Sequence, residues 1–212
     1  MKNITITAHT GCEKTPANSI ESISAGAASG ADVVEFDIRF DKNNMPVLSH
    51  DEPKGEEVTL EQAFRKLTEY KDLNTNIDIK STANLKEIQR LAEKYNLLDR
   101  IFYTGVFEHY VEAVKKDSPK IPYYLNIRDV IKPKKQTQEY LMSLVKKVKD
   151  NDAIGINFHY KNASKKLVDA FHDNGLLVSI WTVNRKWNFI RIMKMSPDNI
   201  TTKKPNLAKK FR

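Results

Sequence analysis

One cysteine, Cys12, stands in 212 residues, which excludes an internal disulfide and fits a reducing compartment. It reads as an ordinary small residue near a strand end. No run of Pro, Gly or Ser is long enough to be a linker or a disordered tail, and with 40% apolar and 29% charged side chains the chain reads as globular throughout. No apolar stretch approaches the roughly 20 residues of a membrane-crossing helix. Residues 1–8, MKNITITA, alternate like a short strand and carry no signal-peptide core, so a cytoplasmic location is the expectation. No Gly-rich phosphate loop follows this first strand, which argues against a doubly wound dinucleotide-binding sheet.

Acidic residues are scarce in the second half. The net charge of +8 hides 13 basic and 17 acidic side chains in residues 1–100 against 22 and 10 beyond them. Such asymmetry suits an anionic substrate, or a peripheral contact between the basic C-terminal half and an acidic membrane surface. Pairs such as Lys146-Lys147 and Lys209-Lys210 read equally well as solvated helix faces. Nucleic acid is not expected, because no aromatic platform is interleaved with the basic residues and no recognised binding motif is present.

What the sequence does have is a regular alternation of β-branched runs with longer amphipathic segments, the pattern of repeated βα units around a parallel sheet. Strands are expected at 4–8, 33–39, 76–79, 101–105, 123–127, 153–158, 176–182 and 199–201. Helices are expected at 19–28, 60–68, 84–95, 108–116, 137–148, 164–173 and 186–195. Eight strands and seven intervening helices predict a closed TIM (β/α)8 barrel spanning residues 1–212 as one domain, short of the ~250 residues usual for that fold. Residues 203–212 leave room for a short eighth helix at most. One stretch departs from βα alternation: 36–40 runs through an Asp/Asn turn and Pro46 into 47–50, a hairpin that would carry His50 back over a barrel mouth.

Residues i and i+2 of a strand share a face, so Glu35 and Asp37 project together while Val34 and Phe36 face the other way. Two carboxylates removed from water repel one another unless something neutralises them. A divalent cation does so, and oxygen-only ligands suit Mg2+ or Ca2+ rather than zinc. The same period places Asp78 and Lys80 on one face of the third strand, where Asp78 would complete the metal site and Lys80 would offer a cation to a substrate phosphate. A lone acid is more often a surface or ion-paired residue; these three are set apart by lying near strand C-termini, where such barrels keep their active sites. His9 follows the first strand and His50 ends the hairpin, so both reach that rim and could act as an acid and a base. His109 and His172 lie within helical segments and read as structural, and His159 stands between the two readings.

His9-Thr10-Gly11, Pro16-Ala17-Asn18-Ser19, the run from Gly30 to Asp37, and Pro46-Val47-Leu48-Ser49-His50-Asp51, taken in order, resemble the glycerophosphodiester phosphodiesterase family. Downstream, Val58-Thr59-Leu60-Glu61-Gln62-Ala63, Asp78-Ile79-Lys80, Trp181-Thr182-Val183-Asn184 and Asn199-Ile200-Thr201-Thr202 with Pro205 continue the likeness over nearly the whole chain. The resemblance implies a metal-dependent hydrolase that releases an alcohol and glycerol phosphate. It assigns Glu35, Asp37 and Asp78 to the metal and His9 and His50 to acid–base catalysis through a cyclic phosphate. It also places Trp181 on the glycerol or leaving-group side, although a barrel-filling aromatic is an equal reading.

Three departures stand out. Thr10 replaces an arginine and Ala17 a glutamate of the family pattern, and only a short segment separates His50-Asp51 from the next helix where most relatives insert more. The lost cation could be supplied by Lys14, Arg39 or Lys80, and the short segment implies a more open mouth. Two other functions remain in view: a phospholipase D acting on lysophospholipid or sphingomyelin, and a phosphate-ligand binding barrel without turnover.

Overall fold

Period-two alternation in the strands and period-3.6 apolar stripes in the helices decide how this chain folds. A computed structural model describes residues 4–211; residues 1–3 of the expected N-terminal alternation, and residue 212, lie outside the described residues. The first units are β1 (Thr5–Ala8), α1 (Ile20–Ala28), β2 (Val33–Phe40), β3 (Pro46–Leu48), α2 (Leu60–Leu67), β4 (Asn74–Ile79) and α3 (Leu85–Lys94). They are followed by β5 (Ile101–Val106), α4 (Glu108–Asp117), β6 (Tyr123–Asn126), α5 (Gln138–Asp150), β7 (Gly155–His159) and α6 (Lys165–His172). The chain closes with β8 (Leu177–Trp181), α7 (Lys186–Met193), β9 (Asn199–Thr202) and a single-turn α8 (Pro205–Ala208).

Among the described residues, eight strands pair in parallel around a ring, with β9 closing onto β1 through Thr5↔Asn199 to Ala8↔Thr202 and β1 pairing β2. The result is a TIM barrel. The short β3 lies outside the ring, antiparallel to the end of β2 through Ile38↔Leu48 and Arg39↔Val47. This is the expected hairpin, except that its returning strand stops at Leu48, so Ser49 and His50 enter the loop above the rim.

Helix starts follow their caps. Ser19, Thr59, Thr137 and Ser164 each accept a backbone N–H of the first turn, and Thr59 with Gln62 forms a reciprocal capping box. The hydrophobic core lies between sheet and helices: Val34, Phe36 and Ile38 of β2 and Ile77 and Ile79 of β4 are buried in it with Phe64 and Leu67 of α2 and Ile88 and Leu91 of α3. The barrel lumen is different. Its inward positions carry Thr7, Asn76, Asn157, Ser179, Asn199 and Thr201, all buried. Thr7 Oγ1 donates to Asn199 Oδ1 at 2.7 Å, and Asn199 Nδ2 donates to Ser179 Oγ at 3.0 Å. Small hydrogen-bonded side chains thus take the place of the branched aliphatic layers usual in this fold.

Close strand approach depends on Gly155, where an added Cβ would lie 2.1 Å from the carbonyl oxygen of Leu177 on β8. Gly155→Ala is expected to force β7 from β8 and to cost about 3 kcal/mol, within the range of overpacked sites. Thermal unfolding checks this; a Tm within 1–2 °C of wild type, a shift of about 0.5 kcal/mol for a chain this size, would contradict it.

Candidate active site

The parallel register places the acids. Glu35 pairs with Asn76 and Asp37 with Asp78, so the inward carboxylates of two neighbouring strands stack at the C-terminal end of the barrel. One oxygen from each of Glu35, Asp37 and Asp78 lies within 4.8 Å of the others. Glu35 and Asp37 are buried and Asp78 is half-buried.

Among the described residues, one fixed cation meets them. Lys80, leaving the end of β4, donates to Asp78 Oδ2 at 2.6 Å and lies 3.0 Å from Asp37 Oδ1. Burial works against its charge, but Asp78 and Asp37 outweigh it and hold the ammonium well above the ordinary lysine range. Glu35 has no such partner. Burial is the main reason its carboxyl is pushed up to about 7; His9 draws it back, while Asp37 and Asp78 push it further. Three acids and one ammonium leave a surplus of negative charge out of water. A divalent cation fits that deficit in charge and in ligand chemistry, since all the donors are carboxylate oxygens.

The two histidines are oriented by their first nitrogens. His9 Nδ1 lies 2.8 Å from the Thr10 carbonyl oxygen, which can only accept, so Nδ1 carries the proton and Nε2 is left for chemistry. The same Nδ1 is 3.6 Å from Glu35 Oε2. His50 Nδ1 pairs with Asp51 Oδ1 at 2.9 Å, and that hydrogen bond holds the Asp51 carboxyl below its usual range. Arg39 Nε fixes the loop by donating to the His50 carbonyl at 3.0 Å. Both imidazoles therefore present Nε2.

All seven residues singled out in the sequence, His9, Glu35, Asp37, His50, Asp78, Lys80 and Trp181, line one cleft of about 1190 Å3. Trp181 Nε1 is buried and has no hydrogen-bond partner among the described residues. Of the suggested substitutes for the missing arginine, Arg39 and Lys80 line the cleft and Lys14 does not; Lys203, not anticipated, does. Thr10 itself is buried. Its backbone N–H donates to Glu35 Oε2 at 2.8 Å and its hydroxyl accepts the Asn18 N–H at 2.5 Å.

Sequence reasoning passed over several supporting residues. Asn18 clamps Asp37 from both sides: Nδ2 donates to Oδ2 at 3.0 Å, and Oδ1 accepts the Asp37 backbone N–H at 3.0 Å. Thr104 Oγ1 reaches Asp78 Oδ1 at 3.2 Å. Gly105 has φ 73°, and a Cβ there would sit 2.4 Å from Asp78 Oδ1. His109 lies in α4 as expected but also lines the cleft, its ring stacked on Phe107 at 5.8 Å. His172 is structural, with Nε2 2.8 Å from Asp198 Oδ2. His159 stands edge-on to Trp181 at 5.4 Å.

With this geometry in view, comparison with known families is decisive. A family model described as the glycerophosphoryl diester phosphodiesterase family matches residues 9–68 and 52–207. The chain belongs to this family. It is a phosphoric diester hydrolase by that membership. The two matched stretches overlap over residues 52–68, which include the short segment after His50-Asp51. A glycerophosphodiester phosphodiesterase of Caldanaerobacter subterraneus subsp. tengcongensis is 27% identical over 255 aligned positions, covering 99% of both chains. Among solved structures, an Oleispira antarctica phosphodiesterase in complex with sn-glycerol-3-phosphate superposes with a TM-score of 0.82 at 14% identity, over 97% of this chain and 95% of that one. A Thermotoga maritima glycerophosphodiester phosphodiesterase gives 0.73 at 17% identity over 100% of each. At these identities the two structures show the same fold.

Two outcomes are expected. Asn18→Ala should weaken binding of Mg2+ or Mn2+ by roughly 10–100-fold, as the loss of a ligand-orienting partner typically does; calorimetric titration showing unchanged affinity would contradict the clamp. In chelator, the protonated Glu35 carboxyl is the better-housed form, so stability should fall as pH rises from the ordinary carboxylate range to about 7. Glu35→Gln should flatten that part of the Tm profile, and parallel profiles for the two proteins would refute it.

Proposed function

We propose that this protein hydrolyses glycerophosphodiesters to an alcohol and glycerol phosphate, with a divalent cation held by Glu35, Asp37 and Asp78 and with His9 and His50 as the acid–base pair. One observation carries the reading: three carboxylates, with a single fixed counter-charge among the described residues, face one point of a cleft that both imidazoles also line. The family match and a same-fold neighbour holding sn-glycerol-3-phosphate support a small phosphodiester as substrate.

When bound, the cation would withdraw charge from the phosphoryl oxygens. The chain's own groups do the rest. Lys80 and the Trp181 N–H hold phosphate oxygens. One imidazole takes the proton of the glycerol 2-hydroxyl through Nε2 as that oxygen bonds to phosphorus, and the other gives its proton to the departing alcohol as the ester bond breaks. In the second half water bonds to phosphorus, the bond to the 2-oxygen breaks, and the two imidazoles exchange roles, so protons and bonds balance.

A ligand-binding barrel without turnover was suggested by Thr10 and Ala17. Thr10 speaks against it, because it supports Glu35 and the Asn18 turn rather than leaving a gap, while Lys80, Arg39 and Lys203 supply positive charge to the cleft. His9→Ala and His50→Ala should each lower kcat on glycerophosphocholine or glycerophosphoethanolamine by at least ~100-fold, the lower bound of a general acid–base contribution, while Tm is maintained. Chelation should abolish turnover, and added Mg2+ or Ca2+ should restore it. Turnover that resists chelation, or histidine variants within a few-fold of wild type, would overturn the assignment.

A further inference from the structure

The loops at the C-terminal ends of the barrel strands form the rim around the cleft, and their charge is sharply divided. The β6–α5 loop carries Arg128, Lys132, Lys134 and Lys135. The loops that follow β7, β8 and β9 add Lys161, Arg185, Lys203 and Lys204, and Lys186 opens α7. These loops stand side by side, because β6, β7, β8 and β9 are consecutive in the ring. Against these nine exposed cations the same segments hold one acid, Asp129. The opposite rim is the reverse: residues 49–59 contain Asp51, Glu52, Glu56 and Glu57 against Lys54 alone.

The basic arc is less paired than the flanks of the barrel. Many lysines on the flanks of the barrel are matched to acids, among them Lys115 to Asp152 at 2.5 Å, Lys120 to Glu93 at 2.8 Å, Lys146 to Asp150 at 2.6 Å and Lys147 to Glu108 at 2.8 Å, although Lys116 and Lys166 are not. None of the nine rim cations has a carboxylate within ion-pair distance among the described residues. Trp187 sits in the first turn of α7 at the same rim, 78% exposed, with the Lys186 ammonium 6.0 Å from its ring centre. A large aromatic left in water amid unpaired lysines matches the composition that settles at a lipid headgroup layer, where the ring enters the interface and the cations meet anionic lipid.

We propose that the basic arc over β6 to β9, with Trp187 on its β8 side, is a docking surface for an anionic phospholipid bilayer. The arc covers only one side of the rim. Docking through it tilts the barrel, keeps the acidic 49–59 segment away from the negative surface, and leaves the cleft open along the water–lipid boundary. Substrate would then be gathered where phospholipid breakdown products, including lysophospholipids, are produced. The docking itself does not depend on the catalytic reading: Arg128 and Lys203 of the arc also line the cleft, while the other seven cations and Trp187 do not.

Vesicle co-sedimentation of the full chain tests it, with phosphatidylcholine vesicles compared with vesicles containing 30–40% phosphatidylglycerol. Each basic residue that reaches an anionic surface strengthens binding about fivefold. The triple variant Lys132→Gln, Lys134→Gln, Lys135→Gln, which leaves the cleft lining intact, should therefore bind anionic vesicles roughly 100-fold more weakly, with unchanged turnover of a water-soluble diester. Tryptophan emission of the wild type should shift to the blue on anionic vesicles, and Trp187→Phe should remove the shift. Equal binding to neutral and anionic vesicles would overturn the proposal, as would unchanged binding by the triple variant. Retention by heparin or DNA with no emission shift on vesicles would also overturn it, marking the arc as a polyanion site and not a membrane one.

Discussion

Three carboxylates gathered out of water at the end of two adjacent parallel strands set the terms for the whole site. Their convergence is a consequence of register: with Asp37 opposite Asp78 and Glu35 two residues back on the same face, the side chains cannot avoid one another. Lys80 offsets part of the repulsion through Asp37 and Asp78 and leaves Glu35 without a full counter-charge. The surroundings are arranged for that deficit. Asn18 grips Asp37, Thr104 touches Asp78, the Thr10 N–H meets Glu35, and the lack of a side chain at Gly105 makes room for Asp78. Metal binding, on this account, relieves an electrostatic cost that the fold already bears.

The barrel supports this through two separate interiors. Outside the sheet, aliphatic and aromatic side chains pack against the helices and supply the stability of the fold. Inside it, Thr7, Asn76, Asn157, Ser179 and Asn199 form a buried polar column beneath the acids. Such a column has every reason to be conserved in shape, because an unmatched polar group in the lumen is costly. Trp181 Nε1 and Asn157 Oδ1, on two residues of the cleft lining, are buried atoms without a hydrogen-bond partner among the described residues.

Much of this was legible in the sequence, for identifiable reasons. Strand and helix positions followed from period-two and period-3.6 patterns, and most ends fell within two residues of those observed because caps such as Ser19, Thr59, Thr137 and Ser164 mark them. Paired carboxylates and the Asp78–Lys80 face came from strand alternation alone. The supporting residues were harder to see. Asn18 lies in a turn whose path depends on Thr10, and nothing in its local sequence says that it reaches Asp37, 19 residues away. Thr104, Asn126 and Asn157 occupy the same inward strand-end positions as the acids, so strand alternation marks them too. The charge division of the rim was visible only as an excess in the second half, since its meaning depends on which loops the ring brings side by side.

The central claim is that Glu35, Asp37 and Asp78 are a divalent-cation site. Anomalous diffraction from crystals grown with Mn2+ tests it most directly. The account predicts one strong peak bonded to an oxygen of each carboxylate at roughly 2.0–2.6 Å, with the Lys80 ammonium drawn away from at least one of its two acids. A map with no peak there, or with manganese bound elsewhere while Lys80 still bridges Asp37 and Asp78, would contradict it.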